Sequence, residues 1–138
     1  MRILLIEDSD LNADMLQRRL ERVGHVVFVA GSGADALALA AAESFDIALL
    51  DIRLPDISGV ELARELHALQ RSCELPLIAV TGDAVPEVLE QARQAGCVDC
   101  VTKPIDFNGL LSAIDHAVHI RRHRIVEQRA SIQAEPGG

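Results

Sequence analysis

The sequence predicts an α/β fold: five short strands alternate with five helices, and the strands form one parallel sheet with helices on both faces. Three observations predict it. Apolar runs of four or five residues recur between segments whose apolar residues are spaced three and four apart. The connections between them are too short to cross between domains, so successive strands lie in one sheet. Finally, the run Ile47 to Leu50 ends in a lone Asp51, with Leu54-Pro55 soon after. That places a carboxylate at the C-terminal end of a strand buried on both faces, the rim where open α/β sheets bind ligands.

Each element has its own signal. Ile3 to Ile6 is the first strand. Asn12 to Val23 is a helix with Ala13, Leu16, Leu20 and Val23 inward, closed by Gly24 as a C-cap. Val26 to Val29 is β-branched and aromatic, a second strand. Ala34 to Ala42 is rich in Ala and Leu, a second helix. Ile47 to Leu50 is the third strand, and Gly59 to Leu69 a helix carrying Val60, Ala63, Leu66 and Leu69. Leu77 to Val80, entered through Pro76, is the fourth strand. Pro86 to Ala95 is a helix with proline in its first turn, where it is tolerated. Val98 to Val101 is the fifth strand. Phe107 to His119 is the last helix, with Leu110, Leu111, Ile114 and Val118 inward, and Gln133 to Gly138 reads as a frayed tail.

Bulk properties narrow the function. The 138 residues fit one domain, and 49% hydrophobic with 25% charged residues is ordinary for a globular protein. A net charge of -8 argues against direct nucleic-acid binding, and no Tyr or Trp supplies a base-stacking platform. No apolar run has membrane-spanning length and the N-terminus is no signal peptide, so a cytoplasmic protein is expected. Cys73, Cys97 and Cys100 make no disulfide framework; Cys97 and Cys100 read as small thiols near a strand.

Parallel strands bring their C-terminal ends to one rim. Glu7-Asp8, Asp51, Thr81 and Thr102-Lys103-Pro104 therefore converge there. Carboxylates crowded together push one another toward the neutral form, and the cluster is costly unless a cation occupies it. Lys103 supplies one charge. A hard divalent ion, Mg²⁺, suits the rest, because it accepts few carboxylates, several waters and a phosphate. Such a site fits Asp51 as a nucleophile toward phosphorus, with Thr81 and backbone N–H groups near Ile52 and Gly82 binding the transferred oxygens. Lys103-Pro104 is a candidate cis bond.

The motifs "IEDSDLN", "LLDIRLPDISG", "AVTGDA" and "VTKPID" together resemble a two-component response-regulator receiver domain, of the single-domain CheY and DivK kind. The resemblance implies a flavodoxin-like strand order 2-1-3-4-5 over residues 1–122, with a helix extension and flexible tail over 123–138. It implies that Asp51 accepts a phosphoryl group from phosphohistidine on a histidine kinase or histidine phosphotransfer protein. Mg²⁺ would be held by Asp8, Asp51 and the backbone carbonyl of Arg53, with Glu7 reaching it through water. Phosphorylation would switch the downstream protein partner. No stand-alone enzyme is implied, only self-phosphorylation and autodephosphorylation at the aspartate, in a monomer or weak homodimer. Where the family pattern has an aromatic switch residue, this chain has Cys100, expected at the surface between the fourth and fifth helices. The switch then falls to Thr81 and the loop from Gly82 to Val85. Ser58 stands where an Asp is common, and Ser starts a helix well.

Other readings compete. Gly31-x-Gly33-x-x-Ala36 follows a strand and opens a helix, with Asp51 twenty positions on, a formal dinucleotide-binding fingerprint. It leaves Glu7, Asp8, Thr81 and Lys103 unexplained. A haloacid-dehalogenase-like phosphohydrolase would need a second Asp where Arg53 stands. On the first helix, Leu11 and Met15 fall away from the inward face, beside Arg18 and Arg22, and are candidate docking residues. His116, His119 and His123 with Arg121, Arg122 and Arg124 form a basic patch, read as a solvated helix end or a surface for an acidic partner.

Overall fold

The computed structural model describes residues 1–69, 75–82 and 85–134. Ten elements alternate: β1 (Arg2–Ile6), α1 (Asp10–Arg22), β2 (Val26–Ala30), α2 (Gly33–Ala42), β3 (Ile47–Asp51), α3 (Gly59–Leu69), β4 (Leu77–Thr81), α4 (Pro86–Gln94), β5 (Cys97–Thr102) and α5 (Phe107–Ala134). The strands form one sheet in the order β2-β1-β3-β4-β5, and every pairing is parallel. This is the expected (βα)5 architecture and strand order.

Two apolar layers sandwich the sheet. Leu4, Ile6, Ala48, Leu50, Leu77 and Ala79 face α2, α3 and α4, whereas Ile3, Leu5, Ile47, Leu49 and Ile78 face α1 and α5. Side chains alternate across a strand, so the unbroken apolar runs of β1, β3 and β4 feed both layers at once. Leu50 is fully buried in this packing, and Leu50→Ala would cost about 3 kcal/mol, from the apolar surface lost and the cavity it leaves.

Caps fix the ends of the helices next to the site. Ser9 Oγ accepts the N–H of Asn12 at 3.3 Å, so α1 begins at Asp10, earlier than apolar spacing suggests. Gly24, at φ +97°, lets the chain leave α1 in the left-handed region. Val23, expected inward, is the C-cap and is half exposed at 50%. In α3 the buried residues are Leu62, Ala63 and Leu66, whereas Leu69 is exposed. Ser58 Oγ accepts from Glu61 N at 3.2 Å and caps that helix.

Two further differences concern the C-terminal third. The β4–β5 register slips between Leu77 and Ile78, so Leu77 opposes Cys97 and Ile78 opposes Asp99. The extra residue puts Cys97 and Cys100 on the same face of the sheet, toward α4. The last helix does not stop near His119. It continues to Ala134, 28 residues or about 42 Å of helix. Gln133 and Ala134 are thus helical, and residues 135–138 lie outside the described residues, as do Cys73, Asp83 and the side chain of His123. No helix among the described residues is long and apolar enough to cross a membrane.

Candidate functional site

Among the described residues, three polar or charged side chains are buried: Glu7 at 8% exposure, Asp51 at 5% and Thr81 at 3%. All three stand at the C-terminal rim. The register puts them there, because Ile6 pairs with Leu50, Asp51 with Val80, and Thr81 with Thr102. Asp51 is the last residue of β3, at the depth where the layers open to solvent.

Asp51 is held from both sides. The Lys103 ammonium donates to Asp51 Oδ2 at 2.9 Å, and the N–H of Arg53 donates to Asp51 Oδ1 at 3.0 Å. Lys103 also lies 3.6 Å from Glu7 Oε2. Its own backbone N–H is fixed to the carbonyl of Thr81 at 2.8 Å, and the Lys103–Pro104 peptide is cis. Glu7 Oε1 accepts the N–H of Ser9 at 3.2 Å. Carboxylate oxygens of Glu7, Asp8 and Asp51 all lie within 4.8 Å of one another, Asp8 being exposed and the other two buried.

The electrostatics follow from this crowding. Burial pushes the Glu7 carboxyl above its ordinary range, Asp51 pushes it further, and Lys103 only partly counters them. For Lys103, burial pulls the ammonium down, but Asp51 and Glu7 outweigh it and hold the group above its ordinary value. The cluster therefore has an excess of negative charge that one lysine does not cancel. The donor set is all oxygen, which is the chemistry a hard divalent ion such as Mg²⁺ takes.

One expectation about backbone donors changes. The N–H of Ile52 continues the sheet ladder, donating to the Val80 carbonyl at 3.0 Å. It is not available to a ligand, and Arg53 supplies the N–H next to Asp51 instead. Gly82 is exposed, with open space where a side chain would stand. Leu11 and Met15 are exposed at 69% and 55%. Met15 also lines a groove of about 320 Å³ that runs from Glu7 and Lys103 past Asn12, Leu16 and Arg19 to Pro104 and Ile105. Arg19, which lines that groove, stacks over Phe107 of α5 at 4.2 Å. Cys100 is half-buried against α4, in a small recess with Leu89, Ala92 and Arg93, and does not reach the α5 layer.

The family model for the response regulator receiver domain matches residues 3–115. The chain belongs to that family. It is 33% identical over 112 residues to the polar-differentiation response regulator DivK of Brucella ovis, covering 81% of this chain and 91% of that one. It is also 33% identical over 123 residues to the virulence sensor protein BvgS of Bordetella pertussis, covering 86% of this chain but only 10% of that much longer protein. Among solved structures, a CheY-like receiver domain from Methanospirillum hungatei superposes with a TM-score of 0.83 at 32% identity, over 89% of this chain and 97% of that one. The receiver domain of sensor histidine kinase PA1611 from Pseudomonas aeruginosa, solved with magnesium coordinated in its active-site cleft, gives 0.78 at 30% identity, over 86% and 97%.

The receiver fold also disposes of the dinucleotide reading. In a fingerprint the start of the helix after Gly31-x-Gly33 would receive a pyrophosphate. Here that helix is α2, and its first N–H groups are already taken by a carboxylate of the same chain. Asp56 Oδ1 accepts from Gly33 at 2.9 Å and Oδ2 from Ala34 at 3.1 Å. Sequence spacing could not reveal this, because the capping residue comes from a loop 23 positions away.

Proposed function

We propose that this receiver takes a phosphoryl group from phosphohistidine onto Asp51 and thereby changes which protein it binds. The observation that carries the reading is the position of Asp51: a buried carboxylate between Lys103 and an acidic pair, at the open rim of the sheet. In the reaction an Asp51 oxygen attacks phosphorus, the new O–P bond forms as the P–N bond breaks, and the departing imidazole takes up a proton. Glu7, Asp8, Asp51 and the backbone carbonyl of Arg53 are the residues that would hold Mg²⁺, which when bound neutralises charge on the transferring group. Lys103 is already beside the acceptor oxygen and pairs with the phosphoryl charge as it arrives. Thr81 and Gly82 at the site mouth are the groups we assign to the phosphoryl oxygens, while the Arg53 N–H holds Asp51 Oδ1.

The donor is a histidine kinase or histidine phosphotransfer protein. The α1 groove beside Lys103, lined by Met15, together with the exposed Leu11 on the same helix, is the docking surface we assign to it. Output is contact with a downstream protein in the cytoplasm, with residues 1–122 as the receiver unit and a monomer or weak homodimer as the working form. Intact-mass measurement after incubation with acetyl phosphate tests the reading. Wild type gains one phosphoryl group with Mg²⁺ and none in EDTA, and Asp51→Asn gains none. Equal labelling of Asp51→Asn would overturn it.

A further inference from the structure

The segment between Asp51 and α3 is clamped at both ends. At its base, Gly59 N donates to the Ile52 carbonyl at 2.9 Å, and Arg53 faces Ser58 as an isolated antiparallel bridge. A Cβ on Gly59 would meet the Ile52 backbone at 2.5 Å, so only glycine allows this approach. At its tip, the chain leans on α2. Ile57 fills the space where a Cβ on Gly33 would stand, and both Asp56 carboxylate oxygens accept N–H groups of the first turn of α2. Ser32 Oγ takes the N–H of Asp35 at 3.1 Å, so α2 has two caps, one local and one from the loop.

The loop cap does more than finish a helix. Ser32 already starts α2 in the ordinary way, with its Oγ on Asp35 and its carbonyl accepting Ala36 N at 3.0 Å. Asp56 adds a tether between two elements that are otherwise separate in sequence. It lies three residues from Arg53, whose N–H is drawn onto Asp51.

We infer that Asp56 is a positioning residue for the phosphorylation site, anchoring the Ile52–Gly59 loop to the start of α2 so that the Arg53 backbone is held against Asp51. The inference rests on the proposed function, because it gives the loop a task only if Arg53 serves the metal and the acceptor Asp51. The N–H groups of Gly33 and Ala34 hold the Asp56 carboxyl below its ordinary range, so the anchor is ionised throughout the neutral range. The positive end of α2 favours the same state.

The experiment is Mg²⁺ binding to the full chain by titration calorimetry, and in parallel the rate of labelling by acetyl phosphate, followed by intact mass against Mg²⁺ concentration; the shifts below are read in both. Asp56→Ala raises the Mg²⁺ concentration for half-maximal rate about tenfold, the low end for partners that orient a metal ligand from outside. Asp56→Asn, which keeps the shape and one acceptor, shows a smaller rise, and Asp56→Glu, which keeps the charge, is closest to wild type. Ser32→Ala is the control: it removes the other cap and lowers the melting temperature, yet leaves half-saturation within about twofold of wild type, since it does not touch the loop. Equal half-saturation in wild type, Asp56→Ala and Asp56→Asn would overturn the inference. So would an equal weakening in Ser32→Ala, which would reduce Asp56 to a helix cap. A wild type whose labelling ignores Mg²⁺ would instead overturn the proposed function, and this inference with it.

Discussion

Lys103 Nζ lies 2.9 Å from Asp51 Oδ2, and the pair joins the ends of two strands that are not neighbours in the sheet. Lys103 spans the end of β4 to reach β3, with its backbone tied to Thr81 on the way. Lys103→Ala leaves Asp51 and Glu7 facing each other without a cation. The metal-free protein then loses about 1 to 2 kcal/mol, below the value for a fully buried pair because the lysine side chain is 32% exposed. Labelling by acetyl phosphate falls about a hundredfold, the scale of one lost transition-state donor. Urea melts in EDTA and labelling rates check the two parts separately, and a variant as active as wild type would remove Lys103 from the chemistry.

Glu7 sets a pH dependence. Burial and Asp51 raise its folded pKa above the ordinary 4.5. The unfolded chain therefore releases this proton first. The stability it contributes is fully present below about pH 4.5 and is lost as pH rises through the raised folded value. In EDTA, Glu7→Gln should melt about 2 to 4 °C above wild type at pH 8 and show no advantage at pH 4. With Mg²⁺ the advantage should shrink, since the ion offsets the repulsion in wild type and binds the more negative site more tightly. A Glu7→Gln protein less stable than wild type at pH 8 in EDTA would contradict the repulsion argument.

Much of this site was legible in the sequence because parallel strands obey one rule. Once Ile47 to Leu50 reads as a two-faced strand, Asp51 must stand at the rim, and the same logic places Glu7, Thr81 and Lys103. Features set by distant partners were not legible. The Ile52 N–H is spent on Val80 by the β3–β4 register, and nothing local in the sequence reports that register. In α3 Leu62 is buried beside the expected Ala63 and Leu66, whereas Leu69 is exposed; which side of a helix meets the sheet depends on packing that apolar spacing alone does not report. The slip between β4 and β5 likewise turns an i, i+3 cysteine pair, which an ideal strand would send to opposite faces, onto one face.

The α1 groove gives a test of docking that is separate from chemistry. Leu11 and Met15 are exposed apolar side chains near the rim, and single exposed apolars need no explanation. Met15, however, flanks a groove that reaches Lys103. Leu11→Ala with Met15→Ala should slow phosphoryl transfer from a phosphohistidine protein about tenfold through lost contact, and leave labelling by acetyl phosphate within about twofold. A parallel fall in both reactions would show damage to the site or the fold, and docking would have to be sought elsewhere.

The last prediction separates two routes for the switch. Cys97 is buried, and its thiol is pushed up to about 12 by burial and by the neighbouring Cys100, so it stays inert near neutrality. Cys100 is also raised by burial, and then by Asp99, but is only half-buried, in the recess beside α4. A thiol there has no ring to swing inward when the site is filled. The change on activation should therefore run through Thr81 and the Gly82 end of its loop, as a population shift driven by phosphoryl contacts made in one state only. In a variant that keeps only Cys100 (Cys73→Ser with Cys97→Ala), thiol-reagent rates are compared with and without beryllofluoride, a stable mimic of the phosphoryl group. The Cys100 rate should change less than about twofold, because burial against α4 and not the site controls access. Amide exchange over residues 82–85 should change in the same samples. If exchange there is unaltered while Cys100 reactivity shifts severalfold, the signal travels along β5, and the recess under α4 is the moving part.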